Sequence, residues 1–250
     1  MSFLDLNATT LGYAFLGGLL PSILWLYFLL KEDSRHPEPK HLIVLAFVAG
    51  MLAVPLALPL EQWVCGRMSV QLGGGCFSQQ YDFSTLLSWA LIEEVLKYIM
   101  AATFILWRRA VDETPDYVIY MITVALGFAS AENMLFLLES LSQGLFAHAV
   151  LTGNLRFLGS TLLHVIASAT IGLTFAFSAA YLPPARTIAA ATGLILAVAL
   201  HTGFNSLIIA GGTSSPLSAF FLVWVGAVVV FAAFEVLKYF QYRNFPNPTP

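Results

Sequence analysis

The sequence predicts an all-α fold: a polytopic transmembrane helical bundle of about seven spans, with the N-terminus outside and the C-terminus inside. Three observations predict it. The 250 residues are 58% hydrophobic and 10% charged, where soluble domains carry roughly 25% charged residues, and the mean hydropathy is +0.80. Apolar runs long enough to cross a bilayer as helices recur along the chain. The polar breaks between them carry their basic residues unevenly, which orients the bundle.

The spans follow in order at about 10–30, 42–60, 83–107, 117–139, 157–182, 188–210 and 217–240. The first, from Leu11 to Leu30, is too long for a signal-peptide core and has no basic stretch before it, so it reads as a retained helix. KEDSRHPEPKH separates it from the second, and Asp33, Pro37, Glu38 and Pro39 there read as a solvated turn. A loop with Cys65 and Cys76 leads to the third span. RRAVDETPD closes the third, and the fourth follows. The stretch 140–156 is the least defined connection and suits a short interfacial helix. PPAR divides the fifth and sixth spans, and Lys238 can snorkel from the inner end of the last. Residues 1–250 read as one transmembrane domain.

With the N-terminus outside, the inside segments hold eight basic residues (Lys31, Arg35, Lys40, Arg108, Arg109, Arg186, Lys238, Arg243) and the outside segments two, Arg67 and Arg156. Cys65 and Cys76 then share an outside loop, where a disulfide could persist. The net charge of −3 gives no reason to expect nucleic acid. The expected surroundings are membrane lipid.

Ionisable groups deep in apolar helices are costly and mark functional sites. Glu93, Glu94 and Lys97 sit in the middle of the third span, Glu132 in the fourth, His164 in the fifth and His201 in the sixth. At a rise of about 1.5 Å per residue, these positions agree in depth, in the middle to outer half of the membrane. Lys97 lies one turn from both glutamates and can pair with either. Adjacent Glu93 and Glu94 point about 100° apart, so they need not share a role. His201 and Asn205 share a helix face. A buried polar network can simply glue helices together. Carboxylates suit that poorly, because each must be protonated or paired, and glutamates outnumber cations here.

These motifs, in order EExxK at Glu93–Lys97, GFASAEN at Gly127–Asn133, RFLGSTLLH at Arg156–His164 and HTGFN at His201–Asn205, resemble the PrsW family of intramembrane proteases, as does DSRHPEP at Asp33–Pro39. More distantly the chain is similar to the CAAX-prenyl endopeptidases and Abi proteins, from which Lys97 and Glu132 depart. The resemblance implies peptide-bond hydrolysis in a membrane-anchored, single-span substrate near the outer leaflet. Within the PrsW branch it implies site-1-type cleavage of a regulator such as an anti-sigma factor.

Hydrolysis needs a base for water, a proton donor and an oxyanion stabiliser. Glu93 or Glu94 fits the base, His201 and Asn205 the stabiliser or donor, and Glu132 and His164 water positioning, with Lys97 neutralising a glutamate. A zinc version uses the same groups: Glu132, His164 and His201 as the three ligands, with a Glu of the pair as base. The glutamate-based and zinc-dependent versions both stay open on the sequence. Two non-enzymatic alternatives are a transporter or proton relay, and an inactive membrane scaffold. A relay needs polar groups reaching both faces, whereas the inner halves of these spans are nearly bare. The intact Glu93–Glu94 pair speaks against a scaffold.

Overall fold

The computed structural model describes residues 7–32, 37–72, 82–179, 183–210 and 215–244. Its elements are all helical: α1 (Ala8–Glu32), α2 (Lys40–Leu72), α3 (Phe83–Ala101), α4 (Thr114–Ser142), α5 (Phe146–Leu158), α6 (Ser160–Ser178), α7 (Pro183–Asn205) and α8 (Ser215–Asn244). α3 and α7 each run on into a π-helical turn, Ala102–Leu106 and Ser206–Ala210. Such turns often occur at functional sites.

Among the described residues, six stretches are long and apolar enough to cross a membrane: Ala8–Lys31, Lys40–Arg67, Thr114–Ser142, Phe146–Ser178, Pro184–Ile208 and Leu217–Gln241. The remaining expected span, 83–107, corresponds to α3 and its π turn. α3 has 19 residues and carries Glu93, Glu94 and Lys97, so it falls short on composition rather than on helicity. The fifth expected span is longer than the sequence suggests. α5 covers most of the undefined 140–156 stretch and meets α6 at Gly159. Cys65 is buried on α2, while Cys76, its expected partner, lies outside the described residues.

α4 is the central helix. Val118 to Ser130 are buried without interruption, so this helix has no solvent or lipid face along that length. A helix that is apolar all round belongs inside a bundle. It packs against α1, α2 and α6. Where α2 crosses it, the two backbones nearly touch. A Cβ on Gly127 would sit 1.9 Å from the Phe47 carbonyl oxygen, and one on Gly50 1.9 Å from that of Val124. Small residues that let backbones approach are the usual means of packing helices in lipid. α1 and α8 turn large apolar side chains outward, among them Tyr27, Phe28, Phe221 and Phe231, as a lipid-facing periphery requires.

The start of α4 is built by polar contacts. The Asp116 carboxylate accepts the N–H groups of Asp112 and Glu113, at 3.0 and 2.8 Å, satisfying donors that a helix start leaves free. One turn later Tyr120 donates its hydroxyl to Glu38, at 2.5 Å. The residues 37–39, expected as a solvated turn, are therefore tied down at Glu38, which is half-buried. Asp33 lies outside the described residues.

Candidate metal centre

Four helices deliver the polar groups that the sequence places at one depth. α3 brings Glu93, Glu94 and Lys97, all buried. α4 brings Glu132, α6 brings His164, and α7 brings His201, both histidines being buried. The structure draws these six together through α3–α7, α4–α6 and α6–α7 packing.

His201 sits between the two adjacent glutamates. Its Nδ1 is 2.8 Å from Glu94 Oε1, and its Nε2 is 3.8 Å from Glu93 Oε2. Two carboxylates pointing about 100° apart thus reach one imidazole by its two nitrogens. A carboxylate accepts only, so Nδ1 carries the proton and donates to Glu94. Nε2 is left with a lone pair facing Glu93.

His164 is held in the mirror-image manner. Its Nε2 donates to Glu132 Oε2 at 2.9 Å, and its Nδ1 lies 3.9 Å from Glu93 Oε2. Lys97 donates to that Nδ1 at 2.9 Å and to Glu94 Oε1 at 2.6 Å. The Phe128 ring covers this corner, 4.7 Å from the Lys97 ammonium and 5.3 Å from the His164 ring.

A further group of residues supports Glu132. Arg156 of α5 donates to Glu132 Oε2 at 2.7 Å and to Asn133 Oδ1 at 2.6 Å. It also donates to Ser160 Oγ at 3.2 Å, and Asn133 donates to Thr161 Oγ1 at 3.0 Å. This set is absent from the sequence-based candidates, although Asn133 and Arg156 fall inside the quoted motifs. Arg156 there counts as a loop charge, and the break at Gly159 hides that it lies two turns before His164. Glu61 of α2 is also missed. It lies just beyond the expected end of that span, and its partly exposed carboxylate is within electrostatic range of Glu132, Lys97 and Glu93.

Lys97 pairs with Glu94 and Arg156 with Glu132, which leaves Glu93 without a Lys or Arg partner at ion-pair distance among the described residues. Glu93 Oε2 is buried without a hydrogen-bond partner. Glu93, His164 and His201 each offer one ligand atom within 4.8 Å of the others, which makes them a group that could hold a metal ion. The separations of 3.8 and 3.9 Å from Glu93 Oε2 are slightly wider than the roughly 3.4 Å between ligands on bonds of about 2.1 Å in a tetrahedral site. Both histidines also donate their other nitrogen to a carboxylate, the arrangement that fixes metal-binding imidazoles. An unpartnered carboxylate oxygen facing two imidazole nitrogens, one of them hydrogen-bonded to Lys97, is a donor set of the kind that binds a divalent cation.

This trio differs by one residue from the set the sequence suggests. Glu132, expected as a ligand with His164 and His201, instead binds the far nitrogen of His164 and the Arg156 guanidinium. Glu93, one of the two glutamates expected to supply the base, faces both imidazole nitrogens that point away from their carboxylate partners. Asn205, expected to help stabilise an oxyanion, is partly exposed at the end of α7 and makes no side-chain hydrogen bond among the described residues.

Residues 38–234 match the family described as PrsW family intramembrane metalloprotease. The chain is 31% identical over 134 residues to the protease PrsW of Bacillus subtilis (strain 168), covering 54% of this chain and 58% of that protein. It is 28% identical over 134 residues to the protease PrsW of Geobacillus kaustophilus (strain HTA426), covering 54% and 56%. The chain thus spans a little over half the length of these curated relatives. No solved structure matches it.

Proposed function

The chain belongs to the PrsW family of intramembrane metalloproteases, and from that membership we propose that it is an integral membrane endopeptidase cutting a membrane-anchored protein. The observation that carries the reading is the convergence of Glu93 Oε2, His164 Nδ1 and His201 Nε2, with the carboxylate oxygen unpartnered. In this reading those three residues hold zinc. A divalent ion there supplies Lewis-acid activation of water and of a scissile carbonyl.

The rest of the work belongs to the chain. Glu94 and Glu132 hold the two imidazoles in the tautomers that aim lone pairs at Glu93. Arg156 pairs with Glu132 and holds it in place as an acceptor for His164. Lys97 offsets the charge of Glu94. Phe128 closes one side against lipid and water, which strengthens electrostatic interactions within the cluster. Glu132, with 21% of its side chain exposed, is the more open of the two carboxylates that orient the imidazoles, Glu94 being fully buried.

The substrate is proposed to be a single-span protein cut near its outer end. The site lies in the middle to outer half of the membrane in the N-out orientation, which the basic asymmetry supports. A helix must unwind before its carbonyls can react, and unwinding costs least near the interface, where water satisfies the freed backbone. A regulator such as an anti-sigma factor has this form, and the family resemblance favours that class.

The test is proteolysis of a single-span reporter by purified protein in liposomes. Glu93→Ala and His201→Ala should each abolish cleavage while inserting normally. The double variant should be little worse than either, since residues acting as a unit are not additive. Full activity of either single variant rejects the site.

A further inference from the structure

Lys97 occupies an atom that the cluster needs for an ion. It is fully buried, and its ammonium lies 2.9 Å from His164 Nδ1. The other nitrogen of that ring is committed to Glu132 at 2.9 Å. A neutral imidazole has one lone pair, and here it sits on Nδ1. An ammonium and a metal ion cannot both take it.

We propose that Lys97 is the resident cation of the cluster, holding the His164 lone pair that faces Glu93, and that a divalent ion enters only by displacing the ammonium from that nitrogen. The proposal rests on the reading of Glu93, His164 and His201 as the ion-holding residues.

The surroundings permit the exchange. Lys97 also donates to Glu94 Oε1 at 2.6 Å, so it can leave the imidazole without becoming an unpaired buried charge. The Phe128 ring, 4.7 Å from the ammonium, offers a second favourable surface for a cation. A lysine is a compact charge on a flexible stem, suited to a short swing in a way a planar guanidinium is not. Before an ion arrives, the ammonium offsets the mutual repulsion of Glu93 and Glu94 of α3 and Glu132 of α4. Its cost is affinity, because every incoming ion must break a charge-assisted hydrogen bond. The device would therefore reject weakly bound cations and admit one that the full trio holds tightly.

Lys97→Met alone changes both the occupant and the local charge. The informative variant is Lys97→Met/Glu94→Gln, which removes one positive and one negative charge. The Gln amide oxygen can still accept from His201 Nδ1. Zinc affinity of the full chain in detergent is measured by competition with a chromophoric chelator, with helicity checked by circular dichroism. The paired variant should bind zinc at least about tenfold more tightly than the unmodified protein, the change expected when one charge-assisted hydrogen bond no longer has to be broken. Equal or weaker binding overturns the proposal. Lys97→Arg, which keeps a cation against the imidazole, should bind no more tightly than the unmodified protein, and tightening there to the level of the paired variant would also overturn it. If the folded unmodified and variant proteins both fail to bind zinc, the metal reading itself falls, an outcome distinct from unchanged affinity.

Discussion

His164 and His201 meet edge to face, their ring centroids 5.1 Å apart and their planes at 79°. Each gives one nitrogen to a carboxylate, Glu132 or Glu94, and turns the other towards Glu93 Oε2. The rings come from α6 and α7, so neither helix can rotate without separating the two lone pairs. The cluster is a product of helix packing, and its properties should follow from the residues that fix that packing.

Arg156 is the first of these. It reaches the cluster from α5, pairs with the carboxylate that orients His164, and is itself braced by Asn133 and Ser160. Arg156→Met should leave insertion intact and weaken zinc binding by about 10- to 100-fold, the usual cost of removing an outer partner. Arg156→Lys should recover part of the loss, since it restores the charge without the fork. Unchanged zinc affinity in Arg156→Met would show that Glu132 orients His164 without help.

The crossing of α2 and α4 is the second. Gly127 faces the Phe47 carbonyl so closely that a methyl group would have to push the helices apart. Gly127→Ala should lower the thermal midpoint in detergent, with a cost of about 1–3 kcal/mol or more as expected for overpacking. It should also reduce activity by shifting Glu132, which lies farther along the same helix. A melting curve superimposable on that of the unmodified protein would contradict the close crossing.

Orientation sets where cutting occurs. Cysteines placed at Arg109, in the connection before α4, and at Gln143, just after it, should be labelled from the inside and the outside respectively. Mass spectrometry of the released fragment should then place the scissile bond in the juxtamembrane or outer-leaflet part of the substrate. A cut in the cytoplasmic third of the substrate's span would indicate that the bundle is inverted.

Much of this site is legible in the sequence, because an ionisable residue in an apolar helix is visible without a structure. Glu93, Glu94, Lys97, Glu132, His164 and His201 all stand out in this way, and the structure brings them together. Partner choice does not stand out. It depends on how each helix is rotated about its axis, and a rotation of one residue step exchanges Glu93 for Glu94. That is why Glu132 reads as a ligand from its depth, yet lies against the far nitrogen of His164. Glu61 and Arg156 escape for a different reason. Both sit at an expected span end, where a charge normally faces water or headgroups and calls for no explanation. The helices themselves are evident from apolar length, except where α3 trades hydropathy for Glu93, Glu94 and Lys97, and where α5 and α6 join at Gly159.

The central claim is that Glu93, His164 and His201 together hold an ion that the chemistry requires. The most direct measurement is metal content by mass spectrometry on purified, folded protein, compared with Glu93→Gln and with chelator-treated protein in the same cleavage assay. We expect about one zinc per chain in the unmodified protein, little in Glu93→Gln, and loss of cleavage on chelation with recovery on adding zinc. Full cleavage by protein shown to be free of metal, or an undiminished zinc content in Glu93→Gln, would contradict the account.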